Sequence, residues 1–184
     1  MLQPNFTPFP LINTDRLILR EVSLDDVQDM FFLRSDPGVL TYLDKAPEKS
    51  TEETRAMIET IKNNANNNDG IFWVITLQGD NTMIGSICYW RLDKPHYRAE
   101  IGYVLHPSQQ GKGIMDEAMK AVLQYGFETM KLHSVEANVN PGNKASRKLL
   151  ERNGFVQEAY FRENYYYNGR FLDSVIYSLI TTIK

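Results

Sequence analysis

A chain of 184 residues, 42% hydrophobic, has the length of one ordinary globular domain and can bury roughly 70% of its unfolded surface without a disulfide or metal scaffold. A net charge of −3 speaks against a general nucleic-acid binder, because counterion release needs a dense basic patch, and no segment approaches the roughly 20 apolar residues of a transmembrane helix. The single Cys88 cannot form an internal disulfide, and His96, His106 and His133 show no metal-ligand spacing. The opening MLQPNFTPFPLINTDR has neither a basic n-region nor the apolar run of a signal peptide, so a reducing cytoplasm, no metal and no membrane are expected.

Along the chain, Arg16 to Val22 alternates as a strand. Ser23 then precedes Leu24, Val27, Phe31 and Phe32 at helical spacing, with Asp25 and Asp26 where a helix N-terminus favours acid. A second helix fits Thr51 to about Lys62 and ends in an Asn-rich stretch before the turn Asp69-Gly70. Three strand-like runs follow, Ile71 to Leu77, Met83 to Leu92 and Tyr97 to Leu105, and suggest an antiparallel meander. The period then changes to 3.6, with Met115, Ala118, Met119 and Val122 forming the apolar stripe of a helix from about Gly111 to Met130. Ser134 to Val139 reads as a strand. Asn143 then caps a short helix that runs to Arg152 and stops at Asn153-Gly154. Two last strand-like runs, Phe155 to Tyr167 and Phe171 to Ile180, are joined by Asn168-Gly169, a hairpin signal. The order β-α-α-β-β-β-α-β-α-β-β implies an α+β fold in one domain over residues 1–184.

Chemistry concentrates where the strand ending at Leu105 passes through Gln110-Gly-Lys-Gly-Ile-Met115 into a helix. A turn holding Gly111 and Gly113 before a helix leaves backbone N–H groups unpaired, with the positive end of the helix dipole behind them. Such a nest suits a diphosphate, and Lys112 adds a positive charge nearby. A dinucleotide fingerprint would need glycine where Asp116 stands, and the longer spacing of a P-loop is absent. The plain alternative is that the two glycines only shape a tight turn.

Gln110-x-x-Gly113-x-Met115 resembles the coenzyme-A motif Q/R-x-x-G-x-G/A of the GNAT superfamily of N-acetyltransferases, with Met115 departing at its last position. The segments TDRLILRE, AEIGYVL from Ala99 to Leu105, QGKGIMDEA, NVNPGNKASRKLLERNGF from Asn138 to Phe155 and NGRFLDSVIYSL extend the resemblance to the RimJ/RimL-type branch, which includes ribosomal-protein N-terminal acetyltransferases. What the resemblance implies is a mixed, mostly antiparallel sheet of about seven strands flanked by about four helices, splayed between the fourth and fifth strands. It implies acetyl-CoA as co-substrate, with the backbone of Tyr103, Val104 and Leu105 holding the thioester. Gln110, Gly111, Lys112, Gly113, Ile114 and Met115 would then hold the pyrophosphate, and Asn138 and Asn143 the peptide-like pantetheine.

Extended alternation puts Glu100, Gly102 and Val104 on one strand face, with Ala99, Ile101 and Tyr103 on the other. By the family pattern Glu100 is the candidate base, since an amine arriving protonated has to lose a proton before it attacks a thioester. The alternative is a solvated strand residue paired with Arg98 or Lys94. Ser146, on the inward side of its helix, is the candidate donor to the departing thiolate, where many relatives use a tyrosine; otherwise it is a small residue tolerated in a first turn.

Other residues read more simply: Cys88 as a buried inert thiol, Tyr165 to Tyr167 as mainly packing, Trp90 as packing or a rim of the acceptor site, and Arg147 and Lys148 as solvated or near the adenosine phosphate. The acceptor is expected to be a protein N-terminus or a small amine, and the protein a monomer or homodimer. A polyamine acetyltransferase and a non-catalytic acyl-CoA sensor are the alternatives. Asp36, Asp44, Glu48, Glu52 and Glu53 either favour a cationic acceptor or form a solvated face.

Overall fold

The computed structural model describes residues 1–181; residues 182–184, the end of the expected domain, lie outside the described residues. The strands are β1 (Ile12–Asn13), β2 (Leu17–Arg20), β3 (Ile71–Leu77), β4 (Gly85–Asp93), β5 (Arg98–Leu105), β6 (Ser134–Val139), β7 (Val156–Tyr167) and β8 (Arg170–Ile180). The helices are α1 (Val27–Ser35), α2 (Pro37–Leu40), α3 (Thr51–Asn66), α4 (Ile114–Gln124) and α5 (Lys144–Arg152). One sheet holds the strands in the order β1-β2-β3-β4-β5-β6-β8-β7. Every neighbouring pair is antiparallel except β5 with β6, which are parallel because α4 carries the chain back across the sheet between them.

Local chemistry explains the element ends. Ser23 and Asp26 close a capping box, in which the Ser23 hydroxyl accepts the Asp25 N–H at 3.2 Å and the Asp26 carboxylate accepts the Ser23 N–H at 2.8 Å. Ser50 caps α3 through the Glu53 N–H at 3.4 Å, and Asn168 and Gly169, both at positive φ, turn β7 into β8.

Among the described residues, eight strands and five helices exceed the expected count of about seven and about four by elements too short to show a period. These are the two-residue β1 and the single turn α2, which starts at Pro37 and is capped by Asp36.

At α4 the expected helix starts later and changes pitch before its end. Gly111 and Gly113 sit at φ 74 and 75, outside the helical region, so the helix begins at Ile114. At the other end Tyr125–Thr129 widens into a π turn over the buried Tyr89 ring, whose hydroxyl donates to the Val122 carbonyl at 3.0 Å. Gly126 makes that contact possible: a Cβ there would stand 2.5 Å from the Tyr89 hydroxyl.

The sheet is covered on both faces. Ala118, Met119 and Val122 of α4 pack with Trp73, Ile75, Ile87, Tyr89 and Ile101 on one face. On the other, Val27, Met30 and Leu33 of α1 and Ile58 of α3 pack on Val22, Val74 and Met83. Each fully buried aliphatic side chain contributes about 1.5–3 kcal/mol relative to exposure, so these stripes fix the helices on the sheet. Among the described residues no helix is long and apolar enough to cross a membrane, and no cluster of His, Cys, Asp and Glu has the makings of a metal site.

Candidate active site

Strands β5 and β6 pair only at Arg98 with Ser134, Ala99 with Val135 and Glu100 with Glu136. Past that point β5 continues along β4 as far as Leu105, while β6 continues along β8 as far as Val139, so the two part company. Each then carries one edge whose N–H and C=O groups have no neighbouring strand. A cavity of about 790 Å³ opens at the wedge, lined by Glu100, Gly102, Tyr103 and Val104 of β5, Asn138 of β6, and Ser146 of α5. Asn140 and Asn143, between β6 and α5, also line it. Arg34, Asp44 and Lys45 line it from the α1 to α3 side. This is the expected splay, now between β5 and β6 because the short β1 shifts the count.

The Gly111–Gly113 turn lies exposed at the start of α4. Nothing lies within 4 Å of a Cβ built on Gly111, and Gly113 occupies the N-cap without a side chain to satisfy the first helical N–H groups. Arg16 braces this turn, a role the sequence pattern did not single out. Its guanidinium pairs with Glu117 at 2.6 Å and donates to the Lys112 carbonyl at 3.0 Å. Lys112 reaches Gln109 at 3.0 Å, and the Gln110 amide donates to the Leu105 carbonyl at 3.4 Å, tying the turn to the end of β5. Ile114 and Met115 are buried in the core, so the departure at Met115 fills the interior rather than the nest.

Alternation along β5 holds: Ala99, Ile101 and Tyr103 face α4 and α5, and Val104 faces α1 and α3. Glu100 is not a solvated strand residue, and its partner is neither Arg98 nor Lys94. A bulge in β4 puts Arg91 at φ 47 and brings its guanidinium to the Glu100 carboxylate at 3.1 Å. The same guanidinium lies over the Trp90 ring at 4.2 Å. Arg98 instead pairs with Asp93, and Lys94 with Asp69. Burial raises the Glu100 pKa, the facing Glu136 pushes the same way, and Arg91 opposes both.

Ser146 lies on the inward side of α5, as its spacing implies, and meets the Tyr103 hydroxyl at 2.6 Å. The sequence reading gave Tyr103 a backbone role only. Burial pushes its phenol up to about 12, against the pull of the Ser146 bond, so it stays protonated at neutral pH. Asn143 caps α5 by accepting the Ser146 N–H at 3.1 Å. Asn138 is exposed on β6 within the same cavity.

Three groups come together that no spacing could have joined. Asp44 accepts from the Asn140 amide at 2.9 Å and from the Tyr165 hydroxyl, linking the segment after α2 to the far side of the cleft. Tyr165 is thus a polar bridge, whereas Tyr166 stacks edge-on against Phe171 at 5.1 Å. Arg147 donates to the Tyr177 hydroxyl at 3.0 Å and the Pro141 carbonyl at 3.4 Å. Burial pushes the Cys88 thiol up to about 12, in keeping with an inert role.

Residues 16–156 match the family model described as an acetyltransferase (GNAT) domain. The chain belongs to the GNAT acetyltransferase family. It is 34% identical over 172 residues to the uncharacterized N-acetyltransferase YoaA of Bacillus subtilis, across 94% of this chain and 97% of that protein. A spermidine N(1)-acetyltransferase of Vibrio cholerae is 25% identical over 158 residues, 86% of this chain and 89% of that one. Among solved structures, the Salmonella typhimurium acetyl transferase that modifies the N-terminal serine of 50S ribosomal subunit protein L7/L12 superposes with a TM-score of 0.83 at 25% identity, covering 94% and 99% of the two chains. As a GNAT acetyltransferase the protein is an acyl-CoA-dependent enzyme that acetylates amines. Its own residues fit acetyl-CoA: an uncapped glycine turn for a diphosphate, and the free edges of β5 and β6 for a peptide-like arm.

Proposed function

We propose that this enzyme acetylates the N-terminal amine of a peptide or protein by direct attack on the thioester, with Glu100 as the base. The observation that carries this reading is the Glu100 carboxylate, mostly buried, in the same cavity as the free edge of β5. Bound acetyl-CoA supplies an activated acyl group and a thiolate leaving group. In this reading the turn from Gln110 to Met115 holds the diphosphate, and Asn138 and Asn143 hold the pantetheine amides. The backbone of Tyr103, Val104 and Leu105 orients the thioester carbonyl.

Glu100 takes the proton of the incoming ammonium directly or through one water, and a raised pKa makes its carboxylate a better acceptor. The Tyr103 and Ser146 hydroxyls, joined at 2.6 Å, return a proton to the leaving sulfur.

Peptide amines are favoured over polyamines by the fate of the acidic residues. Asp36 caps α2, Glu48 pairs with Arg34, and Glu53 accepts from the Lys49 N–H at 2.8 Å. Asp44 alone of the five lines the cavity, and Asn140 and Tyr165 both donate to its Oδ2. The relative that modifies a ribosomal-protein N-terminus supports the same choice. An acceptor screen with acetyl-CoA, comparing N-terminal peptides, spermidine and free amino acids, tests it. Transfer to spermidine at a kcat/KM above that of every peptide would reverse the assignment.

A further inference from the structure

We infer that the acceptor carries, besides its amine, a carboxylate that docks on Lys45. This rests on the acetyltransferase reading and narrows it to a substrate class. The charged side chains around the cavity are matched with one exception. Arg34 pairs with Glu48, and Glu48 is held further by the Thr54 hydroxyl at 2.5 Å. Arg91 pairs with Glu100 at 3.1 Å. Asp44 accepts from Asn140 and Tyr165, both on Oδ2. Among the described residues Lys45, half-buried on the cavity wall, has neither an ion pair nor a hydrogen bond.

An ammonium withdrawn from water without a counterion is costly, and relaxes either by losing its proton or by gaining an anion. Burial pulls Lys45 down to about 8, Arg34 pushes the same way, and Glu48 opposes. Among the described residues no carboxylate forms an ion pair with Lys45, so a ligand that carries an anion into the cavity would find an unpaired ammonium there. Polyamines would bring further cations against Lys45 and Arg34, with Asp44 the one carboxylate beyond Glu100 on the cavity wall to receive them. An amine that also bears a carboxylate complements both ends of the cleft, the amine at Glu100 and the carboxylate at Lys45. Two sources share that chemistry: an acidic side chain close behind a peptide N-terminus, and the α-carboxylate of a free amino acid.

Steady-state kinetics on the full chain at saturating acetyl-CoA separates them. Peptides with Asp or Glu at the second and third positions are compared with their Asn or Gln isosteres, and amino acids with their carboxamides. In one of the two series the carboxylate form should exceed its amide by about tenfold in kcat/KM, carried mainly by KM. Lys45→Gln should erase that ratio, Lys45→Arg should keep it, and Lys45→Glu should invert it. Equal kcat/KM for carboxylate and amide in both series overturns the inference while leaving the acetyltransferase reading intact. So does a ratio that survives Lys45→Gln, or conversion of Lys45 itself into its Nε-acetyl form during turnover. Absence of transfer to every amine overturns both readings together.

Discussion

Tyr103 of β5 and Ser146 of α5 hold their hydroxyls 2.6 Å apart across the mouth of the splay, joining the diverging strand to the helix beside it. If the two return the proton as one relay, Tyr103→Phe and Ser146→Ala should each lower turnover by about 10²-fold, and the double variant should lose little more. A double-mutant cycle on kcat checks this. Multiplying losses would mean that the hydroxyls act separately.

If Glu100 is the base it has to be ionised to accept a proton, so the rate should fall as pH drops through its pKa. Because burial and Glu136 raise that pKa, the acidic limb of the kcat/KM profile should lie above the ordinary carboxylate range. Arg91→Met removes the opposing charge and should move the limb further up. Glu100→Gln should abolish the limb and slow transfer by about 10²- to 10⁴-fold, less so at high pH where more acceptor is already deprotonated.

Gly113 lies at φ 75, with its Cβ direction towards Arg16 at 3.5 Å, in the turn proposed to hold the diphosphate. Gly113→Glu should abolish acetyl-CoA binding by calorimetry, while Gly113→Ala costs roughly 1 kcal/mol of stability through left-handed strain. Lys112→Ala, in an exposed position, should weaken binding far less.

Asp26 is almost fully buried, with the Arg20 guanidinium on both its oxygens at 2.9 and 2.6 Å and the Ser23 N–H at 2.8 Å. Asp26→Ala leaves a mostly buried guanidinium without its carboxylate and frees the capping N–H. The expected loss is about 2–4 kcal/mol by urea denaturation. Acetyl-CoA affinity should change little, since the pair lies outside the residues that line the cavity.

What could be read in the chain without coordinates was whatever depends on near neighbours in sequence. The capping by Ser23 and Asn143, the Asn168-Gly169 hairpin, the glycine turn before α4 and the face of Glu100 all rest on spacings of a few residues. The missed features join distant segments: Arg91 reaches Glu100 only through a bulge, Tyr103 finds Ser146 43 residues away, and Tyr165 finds Asp44 121 residues away. Lys45 carries no local pattern at all. Its character comes from the neighbours that surround it and from the counterion it lacks, and both belong to the packed state.

The divergence of β5 from β6 also has a bearing on the stability of the fold. A sheet ordinarily keeps its unpaired edges at the rim, where charges or a loop can shield them from a second chain. Here two edges lie in the interior, and shielding them permanently would fill the cavity. Divergence protects them instead, because the gap widens past the spacing of about 4.7–4.9 Å at which strands can zip together. Substitutions that let the two strands pair beyond Glu100 and Glu136 would add ladder hydrogen bonds and strengthen the sheet while erasing the site. Sheet stability and an open cleft therefore make opposite demands on these few residues.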